Sequence, residues 1–505
     1  MKSPLDTNFS PVEDKMTKSV SDKGALVSSL LVLLGSLIYI SLTFNNNVWL
    51  DEAFTASLVN TDMRGVLERS MADTLPPLYN ILLKLSTDIF GYTVPVMKLT
   101  SAVPMILTMI LGATVVRKRS GNLTSYIFIL AIATMPNMLF YGVEIRMYSL
   151  GFLFATAAGI YVYEVICEPT RRNWTIFTLM SVLAGYSHHF AFVAVGFVYL
   201  FLLLYICHNT ISRNRSHDVT LSSHKDDITL AGFFKCLLAT FVLYFPCLIV
   251  TLKQLKSVSG YFSMPDVTLQ VFVKYCRYPY TVGFTPLSVL LILSVAALFI
   301  RLCVRKTKTI ADAFAIFCFL LYYGVLLFGT AVSRLMTANI FVDRYLFFSL
   351  GVLWLFFAME AASLDRRLVF LIIALQVAVG AASYTQARAS EYAAGADETM
   401  AWLNSNVQQG DSLYTLEDYE ELAICLPFYD RGLTNYESLE EAVRAAGTGN
   451  TWVAVLDGYE TEAEHPEGNL GYDAYIREIN DEGYELEYKG SFSFDRYKYS
   501  MYLLK

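Results

Sequence analysis

Two adjacent carboxylates, Asp51 and Glu52, stand in "NNNVWLDEAFTASLV" just after the first long apolar run of the chain, and Asp73 follows shortly before Pro76-Pro77. Acids at a helix start complement the helix dipole, and Asp51 could simply cap the segment "EAFTASLV". A further acid on the same loop, beside prolines that fix its backbone, favours chemistry instead. A carboxylate partly withdrawn from water at a bilayer surface is suited to take a proton from a hydroxyl.

The basic groups complement these acids. "EIRMY" places Arg146 and Tyr148 near the end of an apolar run, and "VDRY" places Arg344 and Tyr345 at the start of another. Each arginine has an acid close by in sequence (Glu144, Asp343), which implies a fixed, paired role rather than free snorkelling. A guanidinium fork matches phosphate oxygens, so a phosphate at headgroup level would account for both. Lys98 also lies at a membrane end, where snorkelling is the simplest account. His188 and His189 sit between two apolar runs. There they would serve as interfacial histidines, as hydrogen-bond donors beside a phosphate, or as ligands that help hold a divalent cation.

These residues need a scaffold, and composition says what kind. The 505-residue chain is 55% hydrophobic and only 16% charged, which means a polytopic membrane protein. Apolar runs predict about 11 spans: 25–44, 98–116, 123–141, 149–167, 174–188, 189–207, 231–251, 285–303, 311–331, 345–363 and 368–384. Residues 1–24 are polar and read as a cytoplasmic segment, and the first run reads as a retained span rather than a signal peptide. With the N-terminus inside, every second loop is basic (Arg117-Lys118-Arg119, Arg171-Arg172, Arg213 and Arg215, Arg301 with Arg305-Lys306, Arg366-Arg367). One outer loop, 252–284, also carries lysines. The first loop, 45–97, then faces outward in a multi-pass plasma-membrane protein, with all the residues singled out above on the same side. Residues 76–90 are too short to span and read as an interfacial helix whose first turn is favoured by the prolines.

The remainder, 385–505, reads as a small extracytoplasmic α/β domain. Strands are expected at 411–416, 451–458 and 484–490, with helices at "SLEEAVRAAG" and "YDAYIREIN". It has no Gly-rich nucleotide fingerprint, and its acidity makes nucleic acid an unsuitable partner. The 8 cysteines are scattered without ligand spacing, which implies neither a disulfide framework nor a zinc knuckle.

The motifs "WLDEAFT", "DTLPPLYNILLKL", "VMKLTSAVP", "YGVEIRMYSL", "GYSHHF" and "DRYLFF", in that order along residues 25–384, resemble the GT-C membrane glycosyltransferases. The likeness is to bacterial relatives of protein O-mannosyltransferases and of lipid A aminoarabinose transferase. It implies an inverting transferase, with residues 25–384 as the catalytic domain, that moves a monosaccharide from a polyprenyl-phosphate carrier to an extracytoplasmic hydroxyl. On this resemblance Asp51 matches the base, Glu52 and Asp73 the accompanying acids, and Arg146 and Arg344 (with Tyr345 and Lys98) the donor-phosphate site. His188 matches the family's turn histidine. Leu75 and His189 depart from the pattern, and they bear on metal binding and acceptor choice. The sequence names no certain cofactor and leaves a divalent metal open. Other classes fit the composition: a transporter or lipid flippase, or a non-enzymatic envelope assembly protein. A transporter would carry ionisable groups at the bilayer midplane and show internal repeats, and the sequence shows neither.

Overall fold

A computed structural model describes residues 11–505 apart from 217–227, 262–266, 307, 336–339, 416–419, 460–478, 480–482 and 495–496. The order begins α1 (Pro11–Ile40), α2 (Leu50–Val59), α3 (Met63–Ala72), α4 (Leu78–Phe90) and α5 (Val94–Leu111). After a π-helical segment (Gly112–Val116) come α6 (Arg117–Ser120), α7 (Asn122–Thr134), α8 (Met138–Val143), α9 (Tyr148–Cys167), α10 (Arg171–Ser187) and α11 (His189–Ser216). Next are α12 (Leu230–Tyr261), α13 (Leu269–Arg277), α14 (Thr285–Val304), α15 (Ile310–Leu335), α16 (Phe347–Ala362) and α17 (Arg366–Glu391). The last part holds α18 (Gly395–Asn406), β1 (Ser412–Thr415), α19 (Glu420–Tyr429), β2 (Thr434–Tyr436), α20 (Leu439–Ala446), β3 (Thr451–Tyr459), β4 (Leu486–Phe494) and β5 (Tyr497–Leu504).

The expected spans are largely helical, but the count of about 11 is not confirmed. Among the described residues 9 helices are long and apolar enough to cross a membrane. The run 123–141 is broken. Pro136 holds Met135 in an extended conformation, and Asn137 takes a left-handed backbone (φ 67°), so the chain ends α7 and restarts as α8. The segment at 174–188 is the 17-residue helix α10, too short and too polar to meet the same standard. The break after α7 has a purpose in the architecture: it lets α8 lead into the non-helical turn at 144–147, which carries Glu144 and Arg146.

Close packing of α9 on α16 brings the two arginines together. A Cβ on Gly351 would lie 1.9 Å from Thr156 Oγ1, one on Gly151 2.6 Å from Phe348, and one on Gly159 2.6 Å from Val352. The contacts advance in step along both helices, so the pair is parallel and its backbones approach at small residues, as membrane helices do. Arg146 precedes α9 and Arg344 lies in a 3₁₀ turn leading into α16, so both stand at the same end.

The terminal domain has one five-stranded sheet in the order β2-β1-β3-β5-β4, parallel at β2-β1-β3 and antiparallel beyond. The strands expected at 411–416 and 451–458 and the helix at "SLEEAVRAAG" are present. The third strand is displaced, starting at Leu486 and continuing to Phe494, and β2, β5, α18 and α19 complete the domain. The expected helix "YDAYIREIN" lies outside the described residues, except for Ile479.

Three consecutive asparagines join this domain to the helical part. Asn45 donates to Glu391 Oε2 (3.1 Å), Asn46 to Asp397 (2.9 Å), and Asn47 to the carbonyls of Glu391 (3.0 Å) and Ala393 (2.9 Å). The Tyr429 hydroxyl on α19 both donates to the carbonyl and accepts from the N–H of Val48, at 3.2 Å each. The short segment leading into α2 is thus clamped from the far end of the chain.

Candidate active site

Helix α2 does not begin where the sequence suggested. Its N-cap is Trp49, so Asp51 is not the cap. Glu52 serves the helix start instead: one carboxylate oxygen accepts from the N–H of Trp49 (3.3 Å) and the other from the N–H of Ile145 (2.8 Å). That second bond ties α2 to the turn after α8. Glu52 is buried, and burial, opposed by the charge of Lys98, pushes its carboxyl up to about 7.

With Glu52 in that structural position, Asp51 is left half-buried and turned toward the arginines. Arg344 Nη1 lies 3.1 Å from Asp51 Oδ2, an ion pair whose angle is too oblique for an aligned hydrogen bond. Arg146 Nη1 donates to Thr55 Oγ1 (2.7 Å) and to the Asp51 carbonyl (3.3 Å). Thr55 is one turn beyond Asp51 on the same face of α2, and its hydroxyl donates to that carbonyl too (2.8 Å). Arg344 also lies over the Trp49 ring, 5.6 Å from its centroid.

The pairings inferred from sequence neighbours are therefore corrected. Glu144 does not hold Arg146 but accepts from the Trp49 indole N–H (3.0 Å), and Asp343 faces Lys274 (3.7 Å) and the Arg344 backbone N–H (2.9 Å). Burial and the nearby Glu52 carboxyl hold Glu144 well above the usual carboxylate range. The Nε atoms of Arg146 and Arg344 are both buried without a hydrogen-bond partner. Two buried guanidinium donors left unmade, next to one another through Asp51, are costly unless an anion accepts from them.

Asp73 follows α3 and accepts weakly from its neighbour Thr74 (3.4 Å). Its charge still acts on Arg146. Its loop is held by His189, whose Nε2 donates to the Thr74 carbonyl (3.3 Å), and by Gln254, which donates to the Leu75 carbonyl (3.1 Å). His188 is buried against Tyr345 (4.8 Å between ring centroids) and Phe348 (4.4 Å). Its Nδ1 accepts from the Phe190 N–H (3.0 Å), which leaves the proton of the neutral ring on Nε2, an atom with no partner. Tyr345 stacks on Phe190 at 5.0 Å. Among the described residues no group of three or more His, Cys, Asp or Glu is placed to hold a metal ion, and His188 and His189 do not converge on one.

Lys98 is not a snorkelling side chain. It is buried 1% exposed, ion-paired with Glu391 at the end of α17 and hydrogen-bonded to Asn45 Oδ1 (3.0 Å). Asp51, Arg146 and Arg344 thus converge directly. Glu52 and His188 support them from neighbouring positions, and Asp73, His189 and Lys98 stand further out. Sequence reasoning missed Thr55, Trp49, Asn45, Asn47 and Glu391. Only Thr55 had a local signal, its four-residue spacing from Asp51.

Comparison with solved structures places this architecture. ArnT from Cupriavidus metallidurans in the apo state superposes with a TM-score of 0.62 over 95% of this chain and 98% of that one, at 11% identity. The same protein bound to undecaprenyl phosphate gives 0.59 over 94% and 97%, at 12% identity. The arabinofuranosyltransferase AftD from Mycobacteria gives 0.51 over 94% of this chain and 39% of that one, at 11% identity. No family model matches the chain. No curated protein matches it by sequence. At such identities the likeness is one of fold: this is a multi-pass membrane protein with the GT-C fold, as the order of its motifs implied.

Proposed function

We propose that the protein is an inverting glycosyltransferase that moves a monosaccharide from a polyprenyl-phosphate carrier to a hydroxyl on the outer side of the membrane. The carrying observation is the buried pair of unpartnered guanidinium Nε donors beside the Asp51 carboxylate. ArnT, with which the chain shares its fold, is known bound to undecaprenyl phosphate, which supports a lipid phosphate as the anion.

In this reading Arg146 and Arg344 grip the donor phosphate. Asp51 accepts the proton of the acceptor hydroxyl as that oxygen attacks the anomeric carbon from the face opposite the phosphate. One carbon–oxygen bond forms to the acceptor, and the bond to the phosphate oxygen breaks with its electron pair. The products are the glycosylated acceptor and free polyprenyl phosphate. Charge builds on the departing phosphate, and each preorganised donor aimed at such charge contributes roughly 3–4 kcal/mol. Asp73 tunes Arg146 through its charge, and Tyr345 with His188 backs Arg344. Lys98 acts through the α5–α17 pairing and not on phosphate. The N-terminus lies in the cytoplasm and the sheet domain outside, by the distribution of basic loops.

The test is release of free polyprenyl phosphate by purified protein given a radiolabelled polyprenyl-phosphate sugar and an envelope extract as acceptor source. Arg344→Ala should slow release by about 10²–10³-fold. Release at the wild-type rate would remove Arg344 from the reaction, and no release by wild type would favour a carrier that moves lipid without breaking it.

A further inference from the structure

Helix α2, which carries Asp51, is only 10 residues long. Isolated helices shorter than about 12–15 residues are marginal, so its position must come from what it packs against. Part of the hold comes from the candidate site itself: Arg344 at Asp51, Arg146 at Thr55, and the Ile145 N–H at Glu52. The terminal domain meets the helix as well, through α19, which packs directly on α2.

Two side chains at the end of α19 make the polar ties. The first is Tyr429. Its hydroxyl accepts from the Val48 N–H and donates to the Val48 carbonyl, at 3.2 Å each, so one group satisfies both backbone polar atoms of a buried residue. Val48 directly precedes the N-cap Trp49, whose ring lies beside Arg344, and stands one helical turn before Asp51. Ring packing places the hydroxyl in turn. Tyr429 meets Phe494 of β4 edge-on, 5.5 Å between centroids, and Phe494 packs on Tyr497 and Tyr499 of β5. The sheet of the terminal domain thereby fixes the entry to α2.

The second is Arg431. Its turn is set by Asp430, whose carboxylate accepts from the Gly432 N–H (3.0 Å). The guanidinium lies over the Tyr92 ring, 4.1 Å from the centroid, and donates to the Tyr92 carbonyl (3.1 Å). Tyr92 passes the contact on: its hydroxyl donates to the Ala56 carbonyl of α2 (2.7 Å). That carbonyl is open to it because the last turn of the helix tightens, and the Asn60 N–H bonds Ser57 rather than Ala56. Asp51 therefore sits between two anchor points, Val48 and Ala56, and both lead back to 429–431.

We infer that Tyr429 and Arg431 are positioning residues for Asp51, and that the terminal domain is a working half of the site rather than an appendage. The inference rests on the glycosyl-transfer reading and assigns the domain its part in it. Each side chain acts through the backbone of α2. A reacting group displaced by about 1 Å costs roughly 10²-fold in rate, so a helix too short to hold itself needs both anchors. The grip on phosphate depends on them less, because Arg344 enters from the turn before α16.

The test uses the full chain in nanodiscs, comparing wild type with Tyr429→Phe and Arg431→Ala, each alone and combined with Asp51→Asn. At saturating polyprenyl-phosphate sugar, transfer should slow by about 10–100-fold in either single variant. Affinity for free polyprenyl phosphate should stay within about threefold of wild type. Added to Asp51→Asn, either change should alter the residual rate by less than about twofold, because no base is left to place. Leu439→Ala loosens the same domain through its second hydrophobic cluster and should leave transfer near the wild-type rate below the melting temperature. Full slowing in the Asp51→Asn background, equal slowing by Leu439→Ala, or wild-type transfer by Tyr429→Phe would each overturn the inference. Hydrogen exchange at 48–59 reads the hold without any turnover. It should quicken by about 3–10-fold in Tyr429→Phe, the worth of one hydrogen bond, and unchanged exchange overturns the inference too. A wild-type protein that releases no polyprenyl phosphate, while exchange quickens as stated, would remove the transfer reading and leave the hold on α2 standing.

Discussion

Replacing Asp51 with Asn keeps the shape of the side chain and removes only its charge, so two opposite effects are expected at once. The ion pair to Arg344 is 3.1 Å long and its partners are each 22% exposed. At an effective dielectric constant near 20, two unit charges at that distance attract by about 5 kcal/mol before desolvation is counted. Desolvation offsets most of that, leaving about 1–2 kcal/mol. In the Asp51→Asn protein this attraction no longer competes for Arg344, and a negative charge has left the pocket. Free polyprenyl phosphate should then bind about 5–30-fold tighter. Turnover should fall by about 10²–10⁴-fold, because no general base remains. Both are measurable on one preparation, by equilibrium binding of a labelled polyprenyl phosphate and by single-turnover transfer, with thermal melting to show the fold intact. Unchanged turnover would dismiss Asp51 as the base. Weaker binding would mean that the carboxylate helps to hold the lipid phosphate rather than competing with it, and the charge arrangement argued above would fail.

Other perturbations test the scaffold. Lys98→Met strands the Glu391 carboxylate in a buried place and should cost about 3–5 kcal/mol of stability, seen as a lower melting temperature that Glu391→Gln in the same chain largely restores; loss of lipid-phosphate binding without loss of stability would instead put Lys98 at the donor. Gly351→Ala drives a Cβ into Thr156 Oγ1, so α9 and α16 must separate; transfer should drop together with the melting temperature, and Thr156→Ala should recover part of both. The Glu52 carboxyl is raised in the folded protein from 4.5 to about 7, so the folded state holds its proton more tightly than the unfolded chain. Its stabilising contribution is full below about pH 4.5 and is lost as pH rises through about 7. Melting temperature should therefore decline across that window in wild type and decline less in Glu52→Gln; parallel profiles would refute the assignment.

The sequence alone settled the membrane class, most of the long apolar helices and the residue types able to grip a phosphate and take a proton. Those features are local: apolar length makes a span, and clustered arginine and lysine mark the loops between spans, whereas the break at Pro136-Asn137 was not read from the sequence. It placed Asp51, Arg146 and Arg344 on one side of the membrane but attached each arginine to the acid beside it in the chain. The tertiary fold decided otherwise, because α9 and α16 pack in parallel through glycines and bring Arg344 to Asp51 across 293 residues of sequence. It also set Glu52 and Lys98 apart from the Asp51–arginine cluster, by giving one to backbone N–H groups and the other to Glu391. A charge finds its partner by distance in space. Spacing along the chain reports that distance only within a helical turn or two, which is why Thr55, though missed, carried a signal in the sequence and Glu391 carried none.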